Sequence, residues 1–453
     1  MQRADSLGVD AIKIRPDVKI AGAYRVLPVA TAFAGLLSAG CAPPNGDTPT
    51  LRIANWGGAG DDSEFYRTVQ KVYDDFEAMH PGARIRVEGI PGSQEYVSKM
   101  LLSYVAGVAP DIVTLDASSA AVFIENGALR DLAPLISEDP DFSLDEYFPN
   151  VVGIARRGSK VHAIPIDFTP IVLYYNKRLF DDAKVPYPQP GWDFANFRRT
   201  AEKLTKRDAK GRTTQYGLAF SNWMPGWIVW LWNNGGDVLS PDGARAEGYL
   251  DSDANVEAVT FLRDLVNDGI APSPSSAAAT GVDFFANGQA AMVVTGHWAI
   301  VSYKAAPKIK VEDLGVCSLP SNLEKSVTVM YEAGMAISVQ AREPELAWEY
   351  IKYFTSRKVQ EKYNATGIAV CARRDVAEAR ASERLEREFL EIVPSARPPW
   401  GSRVEGYDFV EAVGQQAMGN ILLPPDPVSK RQRNVRTELT KAARRIDAYF
   451  ALR

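Results

Sequence analysis

Cysteine and histidine are scarce in this sequence, which limits the chemistry that it can support. The 453 residues include 3 cysteines and 3 histidines. Cys41, Cys317 and Cys371 are too far apart for a zinc site of the CxxC kind and too few for a disulfide framework. The histidines form no HExxH motif and no other metal-binding spacing. We therefore expect no metal site.

An excess of positive charge and long apolar runs are also lacking. The chain has 51 basic and 56 acidic residues and a net charge of −5, whereas a nucleic-acid partner requires a basic surface. Beyond the N-terminal segment, no run approaches the roughly 18 apolar residues of a membrane-spanning helix. Hydrophobic residues make up 46% of the chain, which is typical of a globular protein and excludes intrinsic disorder. The length fits about three domains or two large lobes.

Motifs of nucleotide binding and nucleophilic catalysis are absent as well. The glycine-rich stretch Gly57–Gly60 lacks the Lys-Ser/Thr ending of a phosphate-binding loop. The chain has no GxSxG nucleophile elbow. We expect no cofactor and no catalytic residue.

The first 40 residues have the pattern of a secretory signal peptide. A basic region precedes the uncharged run Val26–Leu37, which is shorter than the roughly 20 residues of a spanning helix, and small residues precede Cys41. The ending LSAGC resembles the lipobox of bacterial lipoproteins, in which the cysteine is lipidated and becomes the mature N-terminus. We predict a signal peptide over 1–40, lipid attachment at Cys41 and a tether over 41–50. An uncleaved anchor helix is the alternative.

Strand and helix patterns alternate from Leu51 onward. Apolar residues recur at spacings of three and four in the helical segments and alternate with polar residues in the strands. This order predicts an α/β fold with a largely parallel sheet and helices on both faces. The predicted elements are strand Leu51–Trp56, a helix through Phe65–Met79, a strand at Ile85 and Val87 with one covered face, a helix over about 94–106, strand Asp111–Asp116, helix Asp253–Asp268 and a helix from Pro344.

Six stretches in the same order resemble the extracellular solute-binding proteins that serve sugar importers of the ABC type. They are Val105–Asp116, Ala163–Ala183, Trp232–Ser240, Val256–Pro272, Phe284–Ile300 and Glu343–Val376. The resemblance extends over nearly all of the chain after the tether. It implies a periplasm or cell-surface location, a small-molecule carbohydrate ligand, permease subunits as partners, and membrane contact through the lipid anchor only.

The resemblance also implies two α/β lobes that are joined at a hinge and hold the ligand in the cleft between them. Mapped onto this chain, lobe one is expected over about 51–167 and 324–372. Lobe two is expected over about 168–323 and 373–453. The expected fold is therefore the two-lobe periplasmic-binding-protein fold.

A sugar-binding cleft needs two kinds of side chain. Hydroxyl groups form strong hydrogen bonds with carboxylates and amides, and the C–H faces of sugar rings lie flat on aromatic rings. Ligand sites of open α/β sheets lie at strand ends, so acids and tryptophans at strand ends are the candidates. The predicted ligand-binding residues are Trp56, Asp116, Asp167, Trp223, Trp298, Glu332, Trp400 and Tyr407.

Each candidate has a structural alternative. Trp56 and Trp298 would otherwise pack in a core, Asp116 would otherwise cap a helix, and Asp167 would otherwise organise the hinge. Glu332, in the sequence YEAG, is predicted to precede a strand in a ligand-contacting loop. Trp298 and the possible closing residues Trp400 and Tyr407 are carried over from the resemblance.

Four tryptophans lie between residues 223 and 232. Trp227 and Trp230 share a helical spacing with Trp223, so at least one of the pair is predicted to be core. Trp223 precedes Pro225 and is the predicted cleft residue of the group.

Two rival functions stay open at this stage. A secreted glycosidase would also need paired carboxylates, which Asp116, Asp167 and Glu332 can supply. The same fold can instead bind a glycerophosphate, which needs an arginine or a helix N-terminus, or a polyamine, which needs several acids.

Overall fold

The computed structural model describes residues 49–56, 64–90, 92–275, 281–425 and 432–453. The predicted signal peptide, Cys41, most of the tether and Gly57–Gly60 lie outside these residues. None of the helices in the described ranges combines the length and the apolar character needed to cross a membrane.

Helices and strands alternate along the described ranges. The helices are α1 Glu64–Met79, α2 Ser93–Val105, α3 Ala120–Glu125, α4 Ala133–Glu138, α5 Pro149–Val152, α6 Lys177–Ala183, α7 Phe194–Leu204, α8 Met224–Trp232, α9 Asp253–Asn267, α10 Ala299–Ala305, α11 Pro344–Phe354, α12 Arg357–Ala365, α13 Arg374–Ala379, α14 Arg384–Ile392, α15 Tyr407–Ile421 and α16 Val435–Phe450. The strands are β1 Thr50–Asn55, β2 Arg84–Gly89, β3 Ile112–Asp116, β4 Arg156–Arg157, β5 Lys160–Val161, β6 Ile164–Pro170, β7 Val172–Asn176, β8 Lys206–Arg207, β9 Thr213–Ala219, β10 Ala290–Thr295, β11 Leu314–Cys317, β12 Thr328–Ile337, β13 Val370–Cys371 and β14 Ala396–Arg397.

The first sheet has the strand order β13-β6-β12-β3-β1-β2, and β14 pairs with β12. Strand β1 is parallel to β2 and β3, whereas β12 runs antiparallel to both β3 and β6. The expectation of a largely parallel sheet is therefore wrong for its centre. The reason is that β12 comes from a distant part of the chain and enters the sheet from the opposite end.

The second sheet has the order β11-β7-β10-β9-β8. Strands β9 and β10 are parallel, and β7 is antiparallel to its neighbours β10 and β11. Both faces of β7 are buried, because Val172 and Tyr174 pack in one hydrophobic cluster and Leu173 and Tyr175 in another. A strand covered on both faces is typical of an α/β sheet with helices on each side.

The helical periodicity is confirmed where it was strong. Helix α1 begins and ends within one residue of the predicted apolar face, and α9 and α11 lie at their predicted positions. Trp227 and Trp230 are both buried in α8. Strand β2 exists as predicted, but its expected covered face is covered only in part. Ile85 packs against a hydrophobic cluster, whereas Val87 is 39% exposed on this strand at the sheet edge.

The chain crosses from the first sheet to the second at Ile171. This residue is the single link between β6 and β7. Its N–H donates to the carbonyl of Val329 at 3.0 Å, and its carbonyl accepts from the hydroxyl of Thr328. Two chain segments are thus hydrogen-bonded side by side where the first sheet ends and the second begins.

Candidate functional site

One edge of the first sheet collects the ends of three strands that run in the same direction. Strands β1, β3 and β6 are mutually parallel, because β12 is antiparallel to both β3 and β6. Their carboxyl ends therefore meet at the same edge, where α/β proteins bind ligands. Trp56 directly follows β1, Asp116 ends β3, and Asp167 is the central residue of β6.

Asp116 and Asp167 lie on the same face of this sheet. In the strand register, Asp116 pairs with Ala333, and Ala333 pairs with Asp167. Directly opposed residues of antiparallel strands project to the same face. The small side chain of Ala333 thus lies between the two carboxyl groups, and Tyr331 lies on the same face because it is two residues away along β12.

The Asp116 carboxyl is held by the turn that follows β3. Its Oδ1 accepts from the N–H of Ser118 at 2.7 Å and from the Ser118 hydroxyl. Desolvation raises the pKa of Asp116, and the hydrogen bonds from Ser118 partly oppose that shift. The turn therefore holds one oxygen of the Asp116 carboxyl in place. The alternative role of Asp116, as a helix cap, would require the same kind of local contact.

The Asp167 carboxyl is buried, and it accepts a hydrogen bond from the hydroxyl of Tyr363 at 2.7 Å. Desolvation raises the pKa of Asp167 to about 7, the Tyr363 hydroxyl opposes the shift, and the nearby charge of Asp116 adds to it. Near neutral pH this group is therefore present in both protonation states, and it can donate as well as accept a hydrogen bond.

Two tryptophans lie at the equivalent edge of the second sheet. Trp223 follows β9 and immediately precedes α8, and Trp298 follows β10 and immediately precedes α10. Because β9 and β10 are parallel neighbours, their carboxyl ends bring the two rings together, with centroids 5.7 Å apart. Trp223 is 39% exposed, which is unusual for tryptophan and leaves ring surface for a ligand.

Tyr331 connects these tryptophans to the acids. Its ring centroid lies 5.4 Å from that of Trp223, and its position on β12 puts it on the same face as Asp116 and Asp167. We call Trp223, Tyr331 and Trp298 the aromatic cluster. Tyr331 belongs to the sequence YEAG but is not among the predicted ligand contacts, because only the strand register reveals which face it shares.

Gly296 allows the Trp298 ring to lie close to the first sheet. A Cβ at this glycine would be 2.2 Å from an atom of the Trp298 ring and 2.5 Å from the methyl carbon of Thr169 in β6. The ring and Thr169 therefore lie against the same point of the backbone. Thr169 is two residues after Asp167, so the Trp298 ring is near the acidic face of the sheet.

Glu332 lies within β12, so the expectation of a loop before a strand is wrong. It pairs with Phe168 and projects to the face opposite Tyr331. The side chain is 2% exposed, and its Oε2 has no hydrogen-bond partner among the described residues. Desolvation and the charges of Asp116 and Asp167 raise its pKa well above the ordinary value. A ligand contact by Glu332 stays a prediction.

Glu411 is a fourth acid near this site that the sequence did not single out. It lies in α15, and burial together with the charge of Asp116 raises its pKa to about 8. Its Oε1 is buried and finds no hydrogen-bond partner in the part of the chain that the structure describes. In the helical sequence of α15 it resembles an ordinary surface glutamate, so no sequence signal could have identified it.

Of the three remaining predicted contacts, Trp400 and Tyr407 show little free surface. Trp56 is half-buried and packs edge-to-face on Tyr96, with centroids 5.8 Å apart. Trp400 is 3% exposed, and its indole N–H donates to Asp237 at 2.7 Å. Tyr407 is 1% exposed, and its hydroxyl contacts the sulfur of Met224. Their roles as ligand contacts stay predictions.

Across the part of the chain that the structure describes, the site acids have no basic partner. None of Asp116, Asp167 and Glu411 takes part in a salt bridge there. The same ranges hold no group of three or more His, Cys, Asp or Glu residues suited to a metal ion. The site thus offers carboxyl groups and aromatic rings, a combination suited to a ligand rich in hydroxyls and C–H surface.

Comparison with known proteins gives one family. The profile described as "Bacterial extracellular solute-binding protein" matches residues 59–361, well over half of the chain. A putative binding protein of Brucella abortus (strain 2308) is 22% identical over 379 residues, which cover 81% of this chain and 87% of that protein. The multiple sugar-binding protein of Streptococcus mutans is 23% identical over 333 residues, which cover 66% of this chain and 70% of that protein.

A solved structure shares the fold. The ABC substrate-binding protein from Listeria monocytogenes in complex with cycloalternan superposes with a TM-score of 0.77 at 22% identity. The match covers 89% of this chain and all of the Listeria chain. The predicted α/β fold of the two-lobe binding proteins is confirmed by this likeness.

Proposed function

Because the chain belongs to the bacterial extracellular solute-binding proteins, we propose that it is the substrate-binding component of an ABC importer and that its solute is a sugar or an oligosaccharide. The observation that carries the proposal is the contact between the aromatic cluster and the face that bears Asp116 and Asp167. The protein binds this ligand, delivers it to permease subunits, and releases it chemically unchanged.

The chemistry of the site favours a sugar over the charged alternatives. A sugar ring can lie on Trp223 or Trp298 through its C–H face. Its hydroxyl groups both donate and accept, so they can pair with Asp167 in either of the protonation states present near a pKa of about 7. A phosphate group would meet carboxyls here, and no basic side chain pairs with these acids within the described residues.

The ligand lies between two lobes in this proposal. Lobe one contains the first sheet and supplies Asp116 and Asp167, and lobe two contains the second sheet and supplies Trp223 and Trp298. The hydrogen-bonded segments at Ile171 and Val329 are the proposed hinge. Closure brings rings and acids onto the ligand together, and only contacts that exist in the closed form can drive it.

A binding screen tests the function directly. The purified chain is heated with mono- and oligosaccharides, with spermidine and with glycerol 3-phosphate, and the products are analysed after incubation. We expect thermal stabilisation by at least one saccharide, by about 2.7 kcal/mol at a concentration of 100 Kd, with the saccharide recovered intact. Steady hydrolysis would indicate a glycosidase, and stabilisation by spermidine or glycerol 3-phosphate alone would contradict a sugar ligand.

A substitution in the aromatic cluster tests the site. Trp223→Ala removes the exposed ring, and we expect saccharide affinity to fall about tenfold or more, which corresponds to about 1.4 kcal/mol. Trp192→Ala is the matched control, since this half-buried tryptophan contacts Phe197 instead. Affinity is measured by titration calorimetry. Equal affinities of Trp223→Ala and the wild type would remove Trp223 from the site.

The location is part of the same proposal. Membership of an extracellular family supports a position outside the cytoplasm, and we propose that a lipid on Cys41 holds the protein at the membrane. In the native host, the wild type should fractionate with membranes, and Cys41→Ser should be released in soluble form. A membrane-bound Cys41→Ser variant would instead favour an uncleaved anchor.

A further inference from the structure

The residue that precedes Trp298 belongs to a buried pair of side chains. The preceding residue, His297, has 0% exposure, and its Nε2 is 2.9 Å from Oε2 of Glu386 in α14. The ring of Phe389 lies against the imidazole, with centroids 4.4 Å apart. The tip of the loop between β10 and α10 is therefore anchored to another helix through one imidazole.

The second oxygen of Glu386 extends this contact toward the first sheet. Arg380 donates to Glu386 Oε1 at 3.0 Å, and its other terminal nitrogen donates to Oδ1 of Asn364 at 3.1 Å and to the carbonyl of the same residue. Asn364 lies in α12 beside Tyr363, whose hydroxyl donates to Asp167. This series of side-chain contacts thus connects two proposed ligand contacts, Trp298 and Asp167.

His297 and Arg380 both stabilise the Glu386 carboxylate. Burial alone would raise the pKa of Glu386, but the hydrogen bond from His297 and the charge of Arg380 bring it below the ordinary value. The ionised carboxylate therefore accepts a hydrogen bond from His297 Nε2. Nδ1 of His297 is buried and has no hydrogen-bond partner among the described residues, so Nε2 alone connects the imidazole to Glu386.

We infer that His297 is a positioning residue for ligand binding, which acts through Glu386 and Arg380 to fix the Trp298 loop relative to the helix that carries Tyr363. The pair sets the spacing between the Trp298 ring and the Asp167 carboxyl in the conformation that binds the ligand. A site that is ordered in advance loses less freedom on binding. The inference rests on the proposed function, because Trp298 and Asp167 are its ligand contacts.

Substitutions of His297 distinguish a role in positioning the Trp298 loop from simple packing. His297→Gln keeps an N–H that can reach Glu386, whereas His297→Leu keeps the bulk and removes the donor. We expect saccharide affinity to fall about tenfold in His297→Leu and to stay within about threefold in His297→Gln. Equal affinities in both variants, with both folded as judged by thermal unfolding, would overturn the inference.

A remote variant covers the case in which the buried substitution prevents folding. Arg380→Met removes the guanidinium group, which has no hydrogen bond to the Trp298 loop in the described residues. Arg384→Met is the matched control, because Arg384 lies in α14 but bonds to Glu388 and to the Leu314 carbonyl. We expect saccharide affinity to fall in Arg380→Met only. Equal affinities of the two variants would contradict the role of these hydrogen bonds.

A spectroscopic readout distinguishes failure of this inference from failure of the proposed function. The 9 tryptophans can be labelled with fluorine, and Trp298→Phe and Trp348→Phe assign two of the signals. Without any ligand, Arg380→Met should shift or broaden the Trp298 signal and leave the Trp348 signal in place. An unchanged Trp298 signal would overturn the inference even if saccharides bind, and a shifted one would support it even if they do not.

Discussion

At the scale of single residues, Asp167 has a buried carboxyl group with no cationic partner within the described ranges. Desolvation raises its pKa from 3.8 to about 7, so the folded protein holds the proton more tightly than the unfolded chain does. The folded state therefore loses stability relative to the unfolded state as the pH rises from about 4 to about 7. Above that range the loss is complete and amounts to about 4 kcal/mol at most.

Asp167→Asn should remove this pH dependence. The amide oxygen can still accept from Tyr363, and no charge has to be buried at high pH. We expect the free energy of unfolding of the variant, measured in urea, to exceed that of the wild type increasingly between pH 4 and pH 7. Tyr363→Phe should extend the decline of the wild type to higher pH, because the Tyr363 hydroxyl lowers the pKa of Asp167. Parallel pH curves for the wild type and Asp167→Asn would contradict the account.

The role of a single residue was predictable where a neighbouring residue interrupts a sequence pattern. Trp223 could be separated from Trp227 because Pro225 interrupts the pattern between them, and the structure has Trp223 exposed and Trp227 buried. Glu411 could not be found and Tyr331 could not be selected from the sequence YEAG, since glutamate in a helix and tyrosine in a strand are ordinary residues. Their importance comes from the strand register and from helix packing, which depend on distant parts of the chain.

At the scale of the elements, the loop from β10 to α10 depends on Gly296. The Cβ that alanine would add lies 2.2 Å from the Trp298 ring and 2.5 Å from the Thr169 methyl carbon, distances too short for carbon atoms in contact. The ring has to move away from the acidic face of the first sheet. We expect Gly296→Ala to weaken saccharide binding about tenfold or more in calorimetric titration.

Gly153→Ala provides the comparison for this prediction. A Cβ at Gly153 meets no atom within 4 Å, and its φ is −60°, so alanine fits there without strain. This variant should bind as the wild type does. If Gly296→Ala also keeps wild-type affinity, the position of the Trp298 ring does not matter for binding.

The elements themselves were largely predictable, whereas their arrangement was not. The residues of α1 and α9 repeat at helical spacing, and local periodicity is sufficient to find such helices. The direction of β12 in the first sheet has no local signal. The sequence YEAG was therefore assigned to a loop, although it pairs with β3 on one side and β6 on the other.

At the scale of the whole molecule, the segment Trp400–Glu405 connects two parts of the structure. One is the hydrophobic cluster that contains Leu173 and Tyr175, and the other is the turn that follows Asp116. Trp400 packs in that cluster, and the Ser402 carbonyl accepts from Arg157, near the first sheet. A Cβ at Gly401 would lie 1.8 Å from the carbonyl oxygen of Ser118. Ser118 also donates to Asp116, so the segment touches the residue that holds a proposed ligand contact.

This contact predicts how Gly401→Ala should affect lobe closure. The added methyl group meets the backbone of Ser118, which cannot move aside as a flexible side chain can, so the segment and the turn have to separate. With saturating saccharide, X-ray scattering should show a decrease in the radius of gyration of the wild type and a smaller decrease in Gly401→Ala, whose affinity should fall at least tenfold. Gly153→Ala should behave as the wild type. A wild-type radius that does not change at saturation would contradict hinge closure, and full compaction of Gly401→Ala would contradict the role of this segment in it.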